Sequence, residues 1–184
     1  MSADGTIPEA ATLLADKGDA RVYHATWQQL AEVVGQVDTL IVDAPYSERT
    51  HAGHDGGVLD ADTYRGKPSK RTPERHRSSL SYDFWTPSNV ALFVETWAPR
   101  CGGWFVSLTD HVLAPAWEAA LEAAGRYVFA PLACVRPGSR IRLVGDGPAQ
   151  WSEWAVVARP RTRSMQRWGS LPGGYVVPPG FGQA

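Results

Sequence analysis

The chain has 184 residues, of which 43% are aliphatic or aromatic, and its formal net charge is −1. This length is typical of one domain with a sizeable hydrophobic core, and the near-zero charge excludes a uniformly basic nucleic-acid binder. No apolar run approaches the roughly 20 residues of a membrane-spanning helix, and the first residues lack the pattern of a secretory signal. Two cysteines, Cys101 and Cys134, are too few for a disulfide framework or a thiolate metal site. We therefore expect a cytoplasmic protein with reduced thiols and no membrane partner.

The first part of the chain is predicted to alternate helices and strands. Residues 8–17 carry apolar side chains at helical spacing and predict a helix, after which a short strand begins at Val22. Thr26 begins the Thr-x-x-Gln pattern of a capping box, and this predicts a helix that ends at Gly35. The apolar run over residues 39–42 then predicts a buried strand.

The remaining elements complete an α/β pattern. Residues 47–81 form a polar, basic segment that is too long for an ordinary connection and is expected to be a functional or disordered loop. The elements predicted after it are a helix opened by Thr86 and Pro87, a strand at 104–108, a helix ending near residue 124, and strands at 127–135 and 153–158. This order predicts an α/β domain over residues 1–160, with a mostly parallel sheet and flanking helices. Residues 161–184 are rich in proline, glycine and arginine and predict a tail.

The strand predicted at 39–42 ends in the sequence Asp43-Ala44-Pro45-Tyr46. Ligands bind at the carboxyl edge of open α/β sheets. The Asp43 carboxylate and the carbonyl of Ala44 can both accept hydrogen bonds from an exocyclic amino group, and Tyr46 offers a π-face to the base that carries it. Pro45 restricts the backbone that holds these acceptors. Ordinary turns favour the same residue types, so a strand-ending turn without function is the alternative interpretation.

These four residues resemble the Asp/Asn/Ser-Pro-Pro-Tyr/Phe signature of the DNA amino-methyltransferases, with Ala44 in place of the usual first proline. The lead-in at residues 18–22 and the order of strands and helices are also similar to that family. The resemblance implies a Rossmann-like methyltransferase fold and methyl transfer from S-adenosylmethionine to the amino group of adenine or cytosine in DNA. It implies a flipped target base, with Asp43, Ala44, Pro45 and Tyr46 as the catalytic residues.

The glycine-rich turn that this family uses to approach its cofactor is missing from any strand-to-helix position of the chain. The chain therefore resembles the catalytic and target-recognition half without the cofactor half, so the fold is predicted to be incomplete. Three interpretations stay open: a split enzyme whose second chain supplies the cofactor-binding half, a degenerate homologue that only binds DNA, and an unusual cofactor pocket. Fold and activity are separate claims, and whether the chain alone is an enzyme stays undecided.

The residues predicted to contact DNA lie mainly in the polar loop. Cationic side chains in this loop can release counterions from DNA, although a solvated loop without function would have the same composition. The predicted DNA-binding residues are Arg65, Lys67, Lys70, Arg71, Arg75, Arg77 and Trp85. Trp85 and Trp168 lie in polar segments and are predicted to stack on bases, whereas Trp97, Trp104, Trp117 and Trp154 are predicted to lie in the core.

A metal-dependent nuclease or hydrolase is an alternative of a different class. His51, His54 and Asp55 lie close together after the Asp43–Tyr46 turn, and Asp110 and His111 end the next predicted strand. Imidazoles and carboxylates are metal ligands, but a glycine-bearing loop does not fix their geometry. The sequence therefore favours surface residues at these positions, and no metal is predicted.

Overall fold

The computed structural model of the protein describes residues 10–55, 82–137, 148, 150–162 and 168–177, with the backbone alone at 53–55. No helix within these ranges is long and apolar enough to cross a membrane. The strands are β1 Thr12–Asp16, β2 Arg21–His24, β3 Leu40–Asp43, β4 Phe105–Thr109, β5 Arg126–Val128, β6 Leu132–Val135, β7 Ser152–Pro160 and β8 Gly174–Val176. The α-helices are α1 Trp27–Val33, α2 Glu48–Asp55, α3 Pro87–Trp97 and α4 Ala114–Ala123, and a 3-10 turn at Ala98–Arg100 extends α3.

One central sheet organises the described part of the chain. Its strand order is β3-β4-β7-β6-β8, and β5 pairs with one end of β7. Strand β3 is parallel to β4, β6 is parallel to β8, and β7 runs antiparallel to β4, β5 and β6. All strands of this sheet except β7 therefore point in one direction. The predicted α/β class with a central sheet and flanking helices is confirmed, with one reversed strand that the sequence did not indicate.

Two of the helices begin with a capped N-terminus, and the apolar faces of α3 and α4 contribute to the core. Thr26 and Thr86 each make the capping box predicted or implied by their sequence, with Gln29 and Asn89 as the reciprocal partners. Helices α3 and α4 contact each other, and α4 also contacts β5 and β7. The core between these layers includes Val90, Phe93, Trp97, Phe105, Trp117, Leu121 and Val156.

A close backbone approach sets the register of β3 against β4. A side chain on Gly103 would place its Cβ against the carbonyl oxygen of Asp38, so only glycine fits at this position. The amide of Gly102 donates to the Val37 carbonyl at 2.8 Å, and the amide of Leu40 donates to the Trp104 carbonyl at 2.9 Å. The resulting ladder places Asp43 beside Leu108, so the carboxyl ends of β3 and β4 meet at the same edge.

Two predicted elements are wrong. The helix predicted over residues 8–17 is a strand where the structure describes it, because Thr12–Asp16 pairs with Arg21–His24 in an antiparallel hairpin. Gly18 adopts a left-handed φ of 83° in the turn, and the Lys17 amide donates to the Ala20 carbonyl at 2.9 Å. The long strand predicted at 127–135 is two strands, β5 and β6, interrupted before Pro131, whose ring supplies no amide donor.

Two segments predicted as irregular contain regular structure. The segment 47–81 begins with helix α2, and residues 56–81 lie outside the described residues. The tail predicted at 161–184 contains β8, which pairs with β6 in parallel. A Cβ on Gly174 would lie 3.2 Å from the Ala133 carbonyl oxygen, so glycine lets β8 approach β6 closely. Whether 1–160 is a separate domain stays a prediction.

Candidate active site

Four chain segments meet at the carboxyl edge of the sheet. Strands β3 and β4 end there with Asp43 and Thr109, and Asp110 follows directly. Because β7 is reversed, its first residues lie at the same edge, where Trp154 pairs with Thr109. Strand β6 also ends there, beside the start of β7. The fold thus brings the Asp43–Tyr46 turn together with residues from distant parts of the sequence.

The predicted catalytic turn has an exposed acceptor beside a cavity. The Asp43 side chain is exposed, Ala44 is buried, and Pro45 and Tyr46 are half-buried. These four residues and Tyr82 line a cavity of about 380 Å³, which we call the Asp43 cavity. No donor within the described residues hydrogen-bonds to the Asp43 carboxylate, in contrast to Asp110. As far as the described residues go, both carboxylate oxygens of Asp43 can accept from a ligand.

Asp110 is a buried carboxylate beside this turn, and its side chain is only 3% exposed. Its Oδ2 accepts hydrogen bonds from the Ser47 amide, the Ser47 hydroxyl and the Thr50 hydroxyl, at 2.9, 2.5 and 2.6 Å. Its Oδ1 accepts from the amides of Val112 and Leu113 at 3.0 and 2.9 Å. Burial alone would raise the pKa of Asp110, but the hydrogen bonds from Ser47, Thr50 and Leu113 outweigh it, so the pKa lies below its ordinary value.

Tyr46 lies between the Asp43 cavity and a second one. The second cavity has a volume of about 180 Å³, and we call it the Asp110 cavity. Its lining consists of Tyr46, Thr50, Asp110, Cys134, Arg136, Gln150, Trp151, Ser152, Glu153 and Val177. Burial raises the pKa of the Tyr46 phenol, and the nearby charges of Glu153, Asp43 and Asp110 raise it further. Tyr46 is therefore a neutral aromatic ring in a field of negative charge.

Several lining residues of the Asp110 cavity were not singled out from the sequence. Trp151 directly precedes β7 and Glu153 is the second residue of that strand, and the reversal of β7 brings both to the carboxyl edge of the sheet. Burial raises the pKa of the Cys134 thiol, and the charge of Glu153 adds to this effect. The sequence contained no signal for β7 reversal, so Trp151 and Glu153 could not be assigned to this edge in advance.

Trp85 occupies a different environment from the polar loop predicted for it. Its ring is half-buried against the core and stacks on Trp117 with centroids 6.0 Å apart. Trp27 and Phe93 contact it from other sides, at 6.4 and 5.5 Å. The ring of Trp85 therefore packs against three aromatic neighbours and not in a polar loop, and its predicted contact with DNA stays a prediction. Its backbone nevertheless reaches the site, since the Trp85 amide donates to the Tyr46 carbonyl at 3.0 Å.

The other predicted tryptophans divide by burial. Trp97 and Trp117 are in the core, as predicted, whereas Trp104 and Trp154 are half-buried. Trp168 is half-buried against Trp104, with ring centroids 5.7 Å apart. The guanidinium of Arg159 lies 5.8 Å from the Trp168 ring and 4.6 Å from the ring of Tyr127. Trp104 directly precedes β4 and Asp110 directly follows it, so this aromatic cluster lies at the opposite end of the strand from Asp110.

The predicted cationic DNA contacts stay untested. Arg65, Lys67, Lys70, Arg71, Arg75 and Arg77 all lie outside the described residues.

The candidate metal ligands do not form a metal centre in the described part of the chain. No group of three or more His, Cys, Asp or Glu side chains there is arranged to hold a metal ion. His51 is buried, with its ring in edge contact with Tyr82 and Phe84 at 5.2 and 6.1 Å. Asp110 is engaged by five donors, His111 is exposed, and the side chains of His54 and Asp55 lie outside the described set.

The described residues do not fit an S-adenosylmethionine site of the glycine-rich kind. A cofactor cradle of that kind needs glycine between a strand and the following helix. The connections from β2 to α1, from β3 to α2 and from β4 to α4 contain no glycine. Within the described ranges, the chain therefore supplies acceptors for a base and no recognisable cradle for the cofactor.

Comparison with models of protein families finds no match, and comparison with curated proteins finds none. Among solved structures, the chain is similar to the crystal structure of the M1.HpyAVI–SAM complex, with 14% identity and a TM-score of 0.45 over 73% of this chain and 48% of that chain. It is also similar to the crystal structure of M1.HpyAVI, with 13% identity and a TM-score of 0.44 over 73% of this chain and 51% of that chain. The chain spans about half the length of these two proteins. The described fold itself defines an α/β protein with a polar site at the carboxyl edge of its sheet.

Proposed function

We propose that this chain is the target-recognition and catalytic half of a DNA amino-methyltransferase, acting on the exocyclic amino group of adenine or cytosine. The observation that carries the proposal is the arrangement of the Asp43–Tyr46 turn. A carboxylate that accepts from no described donor, a backbone carbonyl and a neutral aromatic ring lie together at the edge of a cavity. These are the groups that an amino-bearing base needs for orientation and stacking.

In this proposal the target base leaves the duplex and its amino group donates to Asp43 and to the carbonyl of Ala44. Tyr46 stacks on the ring of the base. The two acceptors fix the direction of the nitrogen lone pair, and proximity and orientation of this kind lower the barrier to reaction. The negative charges of Asp43, Asp110 and Glu153 all raise the pKa of Tyr46. The same charges favour the positive charge that develops on the nitrogen during methyl transfer.

A second chain that supplies the cofactor half is the partner we propose. Strand β3 lies at the end of the strand order in the described sheet, so one edge of its backbone has no described partner. The Ile41 side chain on this strand is 72% exposed. A strand edge without a described partner is a template for strand addition, and the exposed Ile41 side chain leaves apolar surface on the adjoining face of β3, the strand that carries Asp43. A DNA-binding module without activity is the alternative if no such partner exists.

Binding of single bases tests the proposed site. The probes are two fluorescently labelled thymidine oligonucleotides, one with a central adenine and one with a central unsubstituted purine that lacks the amino group. We expect tighter binding of the adenine probe, by about 1–3 kcal/mol, because Asp43 and Ala44 accept from the amino group. The Asp43→Ala variant, which keeps only the Ala44 carbonyl as acceptor, should reduce this preference, and Asp19→Ala, which removes an exposed carboxylate in the β1–β2 turn, should leave it unchanged. Equal binding of both probes by the unmodified protein contradicts the proposal.

A further inference from the structure

The peptide unit that joins Tyr46 to Ser47 is held at both of its polar groups. The Ser47 amide donates to Asp110 Oδ2 at 2.9 Å, and the Tyr46 carbonyl accepts from the Trp85 amide at 3.0 Å. Ser47 is 4% exposed and Asp110 is 3% exposed, so water does not compete for these groups. The peptide unit that follows Tyr46 therefore has little freedom to rotate.

Asp110 is itself anchored to the core on the other side. Its Oδ1 accepts from the amides of Val112 and Leu113, at the start of α4, and the Leu113 side chain is 1% exposed. All five groups bound to the carboxylate are donors. Only the ionised acid can accept from all of them, because an amide in its place would direct its own N–H groups towards some of these donors.

We propose that Asp110 is a positioning residue for Tyr46. Its ionised carboxylate ties the backbone after Tyr46 to the start of α4 and thereby fixes the direction in which the ring faces a base. The proposal rests on the base-stacking role of Tyr46 put forward above, and Asp110 acts through Ser47 without touching the base. It extends the site from the Asp43–Tyr46 turn to a carboxylate on a different strand end.

Fluorine NMR tests the positioning independently of any ligand. The protein contains six tyrosines, and labelling with 3-fluorotyrosine gives each of them a fluorine resonance. The resonance that disappears in Tyr46→Phe belongs to Tyr46. In Asp110→Asn we expect the Tyr46 resonance to broaden or split, because the ring no longer has one fixed direction, whereas loss of the Asp110 charge alone would shift a sharp resonance. The resonance of Tyr127, identified by Tyr127→Phe and at the opposite end of the sheet, should keep its line width. Asp19→Asn makes the same chemical change at an exposed site and should leave Tyr46 unaffected. A Tyr46 resonance that stays sharp and single in folded Asp110→Asn overturns the proposal.

A milder variant covers the case in which Asp110→Asn does not fold. Ser47→Ala combined with Thr50→Ala removes two hydroxyl donors and keeps the carboxylate with its three amide partners. This double variant should also broaden or split the Tyr46 resonance, and a sharp, single resonance overturns the proposal.

Affinity for the adenine probe provides the functional readout. Asp110→Asn should weaken binding several-fold, and combining it with Tyr46→Ala should weaken binding little beyond Tyr46→Ala alone, because both changes remove the same stacking contact. Fully additive losses overturn the proposal, since the two residues would then act separately. If the unmodified protein binds neither probe, the proposed function fails, whereas the fluorine resonance still decides whether Asp110 positions Tyr46.

Discussion

The Asp110 carboxylate accepts hydrogen bonds from both the amide and the hydroxyl of Ser47, although the two residues are 63 positions apart in the sequence. This pair joins the turn after β3 to the turn after β4, the two parallel strands whose ends form the candidate site. The geometry of the site therefore depends on a buried ionised group as well as on the strands.

Stability should depend on pH through Asp110. Hydrogen bonds hold its pKa in the folded protein below the ordinary value of 3.8, so its stabilisation is complete above that value and is lost as pH falls through the lower folded pKa. We expect the free energy of unfolding in urea to fall more steeply below about pH 4 for the unmodified protein than for Asp110→Asn. Asp19→Asn should follow the unmodified protein. Parallel curves for all three proteins would contradict the role assigned to Asp110.

Tyr46 should contribute to binding through its ring and not through its hydroxyl. Tyr46→Ala is expected to weaken binding of the adenine probe by about 1–3 kcal/mol, whereas Tyr46→Phe keeps the π-face and should bind nearly as well. Because the pKa of Tyr46 is raised above its ordinary 10.0, the phenol stays neutral up to that pH and adds no pH dependence to binding. Fluorescence anisotropy measures both effects, and a large loss in Tyr46→Phe would contradict stacking as its role.

Trp85 should contribute to stability through the packing of its ring. Trp85→Ala removes a ring that contacts Trp27, Phe93 and Trp117, and large aromatic truncations in cores cost about 3–5 kcal/mol. Because Trp85 is only half-buried, we expect its loss of stability to lie near the lower end of this range. Trp151→Ala, which removes an indole that is 44% exposed, is the matched control and should cost much less. Urea unfolding measures stability, and an equal cost at both positions would contradict the packing described for Trp85.

S-adenosylmethionine should bind weakly or not at all to the isolated chain. The described connections between strands and following helices contain no glycine that would admit the cofactor close to the backbone. Isothermal titration calorimetry measures this directly. A micromolar Kd would show that the chain holds a cofactor pocket of another kind and would remove the reason for a second chain.

Local signals in the sequence were sufficient for the elements that position the turn. The capping pattern at Thr26, the Thr86-Pro87 start and the apolar run before Asp43 all predict elements that the structure contains. A hairpin forms at β1 and β2 although the spacing of apolar residues predicts a helix there, because the turn chemistry outweighs the spacing. Asp16 accepts from the Gly18 amide and pairs with Arg21, and these contacts favour a turn where a helix was predicted.

Tertiary placement was beyond what local patterns can provide. Nothing near Trp85 indicates that its ring packs on Trp117, since the two are far apart in sequence. The reversal of β7 likewise depends on pairing with three other strands, and it brings Trp151 and Glu153 to the site. The sequence suggests Asp110 only as a candidate metal ligand at a strand end, because its five hydrogen-bond donors come from two separate segments that local patterns do not bring together.

The central claim is that Asp43 and the carbonyl of Ala44 hold the amino group of the target base. The most direct test is NMR of a thymidine oligonucleotide whose single adenine carries ¹⁵N in the amino group, recorded with and without the protein. We predict that binding moves the amino proton resonances downfield, as expected for donation to a carboxylate and a carbonyl, and that Asp43→Ala removes the part of the shift that is due to the carboxylate. Saturating binding with unchanged amino resonances would contradict the account.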